Sequence, residues 1–109
     1  MYAIPMTHKR LAQIEKRIAK IKTELAAIGE MRPGSLTRQY KDPQGRSGPY
    51  YQLSYTREMK SRTEYIPRSW VRDVRRQIAN YKRFKILTTK WIALSIERCR
   101  LKMKLPGRR

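Results

Sequence analysis

The chain has 109 residues, with 27 Lys+Arg against 8 Asp+Glu and a formal net charge of +19. At this length it forms one domain or one elongated unit with a small core, and self-repulsion at +19 opposes compaction. The natural complement of such a charge is a polyanion, either nucleic acid or an anionic membrane surface, while a lone cysteine, Cys99, excludes an internal disulfide and a CxxC metal site.

The first thirty residues carry six basic and three acidic side chains, a net of +3. Met1 to Arg10 lacks the apolar run of a signal peptide, and no segment approaches membrane-spanning length, so the expected compartment is the cytoplasm. Residues 7–30 read as a helix. Leu11, Ile14, Ile18, Ile21, Leu25 and Ile28 are spaced 3-4-3-4-3, a heptad seam held for about three heptads. Thr7 is the expected N-cap, and Gly29 with Pro33-Gly34 closes the segment. Leu-Ile-Leu at one seam position and Ile-Ile-Ile at the other suit an antiparallel partner helix or a bundle better than a parallel pair.

Residues 31–67 carry seven basic and three acidic side chains, a net of +4, and change character. "MRPGS" is a turn, "SLTRQY" a short strand and "KDPQGRSG" turn material. "PYYQLSYT" alternates, with Tyr51, Leu53 and Tyr55 on one face and Tyr50, Gln52, Ser54 and Thr56 on the other. "REMK" is the expected hairpin turn, although it lacks the Asn-Gly or Asp-Gly signature. "SRTEYI" returns as a strand. Pro67 cannot extend a ladder and suits the first turn of a helix.

Residues 68–109 hold fourteen basic and two acidic side chains, a net of +12. A long helix is expected over 67–104. At 100° per residue, Trp70, Val71, Val74, Ile78, Tyr81 and Phe84 share one face. Arg68, Arg72, Arg75, Arg76, Lys82, Arg83 and Lys90 form an opposed basic stripe about 120° wide. Beyond residue 84 the apolar set becomes Leu87, Trp91, Leu94 and Leu101, rotated by roughly 100°, well beyond the ~20° drift per heptad of a supercoil. The first half is expected to cover the sheet and the second half to pair with the N-terminal helix.

The expected fold is therefore α+β: an antiparallel, coiled-coil-like two-helix hairpin with a small two- or three-stranded antiparallel sheet between the helices. Its parts are the heptad helix at 1–30, the turn and β-hairpin region at 31–67, and the basic helix and tail at 68–109. On the sheet, Tyr51 and Tyr55 are expected to pack under Trp70, Val74 and Tyr81. Tyr65 should anchor the strand-to-helix corner, leaving Tyr50 as the tyrosine open to a ligand. Trp91 and Ile92 lie on different helix faces, so a homodimer through a four-helix bundle is also considered.

"RPGSL" (Arg32 to Leu36), "QY" (Gln39-Tyr40), "GPYY" (Gly48 to Tyr51), "LS" (Leu53-Ser54), "YIP" (Tyr65 to Pro67) and "NYKRFK" (Asn80 to Lys85) follow in this order. Together they resemble a family of small bacterial, archaeal and viral proteins carried as a domain of unknown function. The resemblance spans about residues 32–85. Many such proteins carry cysteines between the Q-Y and G-P-Y-Y motifs, which suggests a zinc loop. Here Lys41 to Ser47 has neither Cys nor His, and a plain turn replaces it. The family implies no activity; similar small proteins look like passengers of mobile or phage-like DNA.

The residues themselves point away from catalysis. His8 and Cys99 are far apart in the chain, no D-x-D or E-x-x-E pair offers a metal site, and no glycine motif cradles phosphate. No cofactor is expected. The composition points to a non-enzymatic nucleic-acid-binding protein that contacts the phosphate backbone. The stripe from Arg68 to Lys90 would carry it, extended by Arg57, Lys60 and Arg62 at the hairpin tip and by stacking on Tyr50. The alternative is a protein-interaction module, an adaptor or inhibitor docking on a nucleic-acid enzyme through its heptad helix. A membrane-surface role ranks last, since the apolar face of the long helix is already claimed.

Overall fold

The structure is a computed structural model that describes residues 3–42 and 44–107. Its elements are α1 (Ala3–Ala26), β1 (Ser35–Asp42), β2 (Ser47–Arg57), β3 (Lys60–Ile66), a 3-10 turn (Arg68–Trp70) and α2 (Val71–Met103). The fold is α+β, with a three-stranded antiparallel sheet of order β1-β2-β3. Contacts divide the chain into two compact units. One joins α1 to the chain from Phe84 onward; the other is Gly29–Arg83.

In the sheet unit, register fixes which side chains share a face. Leu36, Leu53 and Glu64 stand in line across the strands, as do Arg38, Tyr51 and Ile66. This face is covered by the start of α2. Leu53, Ile66, Val71, Val74 and Ile78 form the buried cluster, with Leu36, Tyr51 and Tyr55 packed against it. Leu53 is fully buried at its centre. The motif "RPGSL" has a steric role here. Gly34 sits at φ +137°, and a Cβ on it would lie 2.6 Å from the Cδ1 of Leu53. The chain can cross Leu53 there only without a side chain.

Two expectations on this unit need correction. Trp70 does not pack on the tyrosines but is 56% exposed. The reason is local: it belongs to the 3-10 turn after Pro67, whose three residues per turn break the phase assumed from an α-helical wheel. The side chains that fill the expected place are Val71 and Ile78. Tyr65 does not anchor the corner either; Ile66 does, buried at 5%, while Tyr65 points to the opposite face and is 66% exposed.

In the helical unit, Leu11, Ile14 and Ile21 of the heptad seam are buried, together with Leu87 of α2. Ile18, Leu25 and Ile28 are half-buried. Arg10 donates from Nε and an Nη to the two carboxylate oxygens of Glu97 at 2.6 and 2.8 Å. Arg98 reaches Glu15 at 3.3 Å, and the Lys22 ammonium lies 5.3 Å from the Trp91 ring centre. Thr7 is not the N-cap. The helix begins at Ala3, and Thr7 is a buried position within it. The helix already runs from Ala3, four residues before the start that the Thr7 hydroxyl suggested. The helix also ends earlier than expected, at Ala26, with Ile28 N–H bonding back three residues to Leu25. No helix among the described residues is long and apolar enough to cross a membrane.

Candidate nucleic-acid interface

The two-residue turn between β2 and β3 is Glu58-Met59, both at positive φ (54° and 64°). That is the geometry of a type I′ hairpin turn, formed here without Asn or Gly. It places Arg57 directly opposite Lys60 and Tyr55 opposite Arg62. Like charges facing each other across a ladder are unfavourable. Arg57, Lys60 and Arg62 are all exposed, so the tip concentrates positive charge.

The helix stripe starts at the other end of β3. Arg68, Arg72, Arg75, Arg76 and Lys82 are exposed on the sheet unit, as is Arg83. Lys90, the last member of the expected stripe, belongs to the helical unit. Asp73 pairs with Arg76 at 2.8 Å, a surface contact of small energetic weight. Arg75 lies over the Tyr51 ring at 6.0 Å, so this arginine's stem is held against the sheet. Between the tip and Arg68 runs the length of β3, roughly 20 Å. The hairpin tip is thus a second basic locus, separated from the start of the stripe.

One arginine plays a different part. Arg32 donates to Glu64 at 2.7 Å and stacks on Tyr55 at 5.3 Å, while Tyr55 Oη donates to the other Glu64 oxygen at 2.9 Å. The Arg32 backbone N–H bonds to Gln77 of α2. Hydrogen bonds from Arg32 and then Tyr55 hold the Glu64 carboxyl below its ordinary range, over an opposing desolvation. Asn80 reinforces the same junction by donating to the Glu30 carbonyl at 2.8 Å. Arg32 therefore ties the loop before β1 to β3 and α2. Nothing in its spacing distinguishes it from the other arginines; only its pairing with Glu64 and the half-buried Tyr55 ring does.

Tyr50, the expected stacking residue, is half-buried. It lies beside Tyr40, Lys41, Gly48, Pro49 and Tyr65 around a shallow depression of about 570 Å³. Tyr65, the more exposed of the two, was not among the expected ligands. His8 and Cys99 are both exposed, and they belong to the helical unit. Among the described residues, no three His, Cys, Asp or Glu come together as a metal site.

The family of unknown function DUF6788 matches residues 11–76. The chain belongs to this family. The match takes in most of the heptad helix, the whole sheet and the first basic residues of α2, from Leu11 to Arg76. Neither the curated proteins nor the solved structures contain a match to the chain.

Proposed function

We propose that this DUF6788 protein is a non-enzymatic nucleic-acid-binding protein that grips the phosphate backbone. The observation that carries this reading is the exposed row Arg68, Arg72, Arg75, Arg76 and Lys82, with Asp73 the one acid in that stretch, on a chain of net charge +19. Arginines so placed neutralise phosphates and release counterions, which is the main sequence-independent source of affinity. The Arg57–Lys60 pair supports the same reading, because a polyanion relieves its repulsion. The helical unit fits a coiled-coil-like antiparallel hairpin: residues 10, 15 and 22 of α1 meet 97, 98 and 91 of α2. The setting, an accessory factor of a mobile or phage-like element, rests on the resemblance carried by the RPGSL, GPYY and YIP motifs.

The test is a binding titration against a 30-base-pair duplex and a matching single strand between 50 and 200 mM salt. Affinity should fall on the order of 10³-fold across that range if about six phosphates are contacted. A salt-independent affinity would sink the proposal. Replacing Arg72 and Arg76 by Gln should weaken binding and reduce the salt slope by about two.

A second reading rests on a different surface. Ile92, Ile96, Cys99 and Met103 follow at 4-3-4 spacing along α2, and all are exposed. The heptad seam of α1 is already largely buried, so a protein partner or a second copy would use this stripe instead. Light scattering after size exclusion separates the two readings. A dimer lost in Ile92→Glu/Ile96→Glu supports the second.

A further inference from the structure

The sheet has one covered face and one open face, and the open face departs from the rest of the chain. Register puts Ser35, Thr37, Gln39 and Lys41 of β1 on it, with the even-numbered residues of β2 from Gly48 to Thr56 and the odd-numbered residues of β3 from Ser61 to Tyr65. Every one except Lys41 is Ser, Thr, Gln, Gly or Tyr. In a chain with 32% charged residues, the other charges of the strands lie elsewhere: Arg38, Asp42, Arg57, Lys60, Arg62 and Glu64 all fall on the opposite side. Edge strands, as β1 and β3 are, ordinarily carry charges, lysine above all. Solubility alone does not ask for a neutral hydroxyl and amide surface on this protein.

Two aromatic rings stand on that surface. Gln52 is opposite Tyr65, so Tyr50 is the diagonal neighbour of Tyr65, roughly 7–8 Å away. Both line the same shallow depression. At its lip Gly48 takes φ +63°, and its missing side chain leaves room for the Lys41 stem, which lies 3.3 Å from where a Cβ would be. Lys41 thereby lines the same depression as the aromatic pair. The basic row that continues along α2 begins at Arg68 in the 3-10 turn, three residues beyond Tyr65, at the same end of the sheet.

We infer that this open face is a platform for unpaired nucleobases, so that the preferred ligand is single-stranded nucleic acid; the inference rests on the nucleic-acid reading above. Tyr50 and Tyr65 offer ring faces to successive bases. Gln39, Gln52, Thr37 and Thr63 offer donors and acceptors without charge, suited to base edges. Lys41, which lines the same depression, and Arg68, three residues beyond Tyr65, take the phosphates. Stacking of this kind tolerates any base, because every base has a π-face. In a duplex those faces are already stacked on one another and the tyrosines find none. An apolar protein surface gains little here, since no aliphatic side chain lies on the face. A second copy would bring like charge to the rim.

The experiment uses the full chain with fluorescently labelled dT15, U15 and a 15-base-pair duplex at one salt concentration. The single strands should bind more tightly than the duplex, with dT15 against U15 reporting any preference between DNA and RNA. Tyr65→Ser should weaken single-strand binding by roughly 5- to 100-fold and leave duplex binding unchanged. Tyr65→Phe keeps the ring and should bind as the parent does. Photo-crosslinking of 4-thiouridine RNA to the unaltered protein should map to Tyr50 or Tyr65, which does not depend on how any variant folds. Equal affinity for single strand and duplex, or full affinity in Tyr65→Ser, overturns the platform and leaves the phosphate-grip reading standing. Absence of binding to any of the three probes overturns both.

Discussion

The two units of this protein use their apolar residues differently. In the sheet unit, Leu53, Ile66, Val71, Val74 and Ile78 close on one another, and the face left to solvent is polar with two tyrosines. In the helical unit, Leu11, Ile14, Ile21 and Leu87 are buried, yet Ile86, Ile92, Ile96 and Met103 remain exposed. The sheet unit's exposed large apolar side chains, Met31, Met59 and Trp70, are scattered over loop and turn positions. The helical unit carries a surplus, the usual mark of a surface that meets something else. A polar, aromatic face suits a polar ligand and an aliphatic stripe suits a protein, so the two proposed readings belong to different units and are separable by mutation.

The largest effects should expose this difference in stability. Leu53→Ala removes a fully buried side chain and should cost about 2–5 kcal/mol, whereas Ile92→Ala should change the stability of the monomer by less than about 0.5 kcal/mol. Denaturant titrations at low protein concentration measure both. If Ile92→Ala costs as much as Leu53→Ala, the α2 stripe is already covered and the contrast between the units collapses. Gly34→Ala should approach the Leu53→Ala cost, because its Cβ meets Leu53 and its φ of +137° suits only glycine.

How much of this was legible in the chain follows the same division. Periodicity revealed the heptad seam and the alternation of Tyr51, Leu53 and Tyr55, because each is a local pattern with a single period. The change of apolar face near residue 85 also anticipated that α2 serves two units, which divide between Arg83 and Phe84. The misreadings occurred where a local rule met a different local geometry. Trp70 fell in a 3-10 turn, and Thr7 fell inside a helix whose preceding residues continue it. The site was less legible than the fold. The basic residues could be named from composition, but the neutrality of the open face emerges only when three strands are put in register. Arg32 was hidden among other arginines until Tyr55 and Glu64 were brought to it.

Acid sharpens the comparison with a smaller effect, since each unit has one carboxylate held below its ordinary range. Hydrogen bonds from Arg32 and then Tyr55 do this to Glu64; a hydrogen bond from Arg10, aided by the charges of Arg10 and Arg17, does it to Glu97. A depressed carboxylate stabilises the fold above its unfolded pKa of about 4.3, and that contribution disappears as pH falls through the lower folded value. Stability should therefore be flat down to about pH 5 and decline below about 4 in both units. Amide signals followed by NMR would report the units separately. Glu64→Gln should flatten the decline for β2 and β3 while leaving that of α1. A decline of the sheet signals unchanged by Glu64→Gln would show that the Arg32–Glu64–Tyr55 cluster does not govern it.

The smallest effect concerns the hairpin tip, where fold and proposed function pull apart. Glu58 and Met59 both occupy left-handed backbone, which costs an L-residue other than Asn or Gly on the order of 1 kcal/mol each. Met59 is 98% exposed, so its side chain contributes no packing to offset that cost. Met59→Gly should raise the stability of the sheet unit by about 1 kcal/mol and leave nucleic-acid affinity unchanged. Glu58→Asn should stabilise the turn by a similar route, but it also removes the acid next to Arg57. The repulsion between Arg57 and Lys60 then goes unopposed, which reduces the gain in the free protein. A bound polyanion would relieve it, so Glu58→Asn should tighten nucleic-acid binding where Met59→Gly does not. Equal stabilisation by the two variants with no difference in affinity would mean that the tip charges face only solvent, and that phosphate contact is confined to the arginine row of α2.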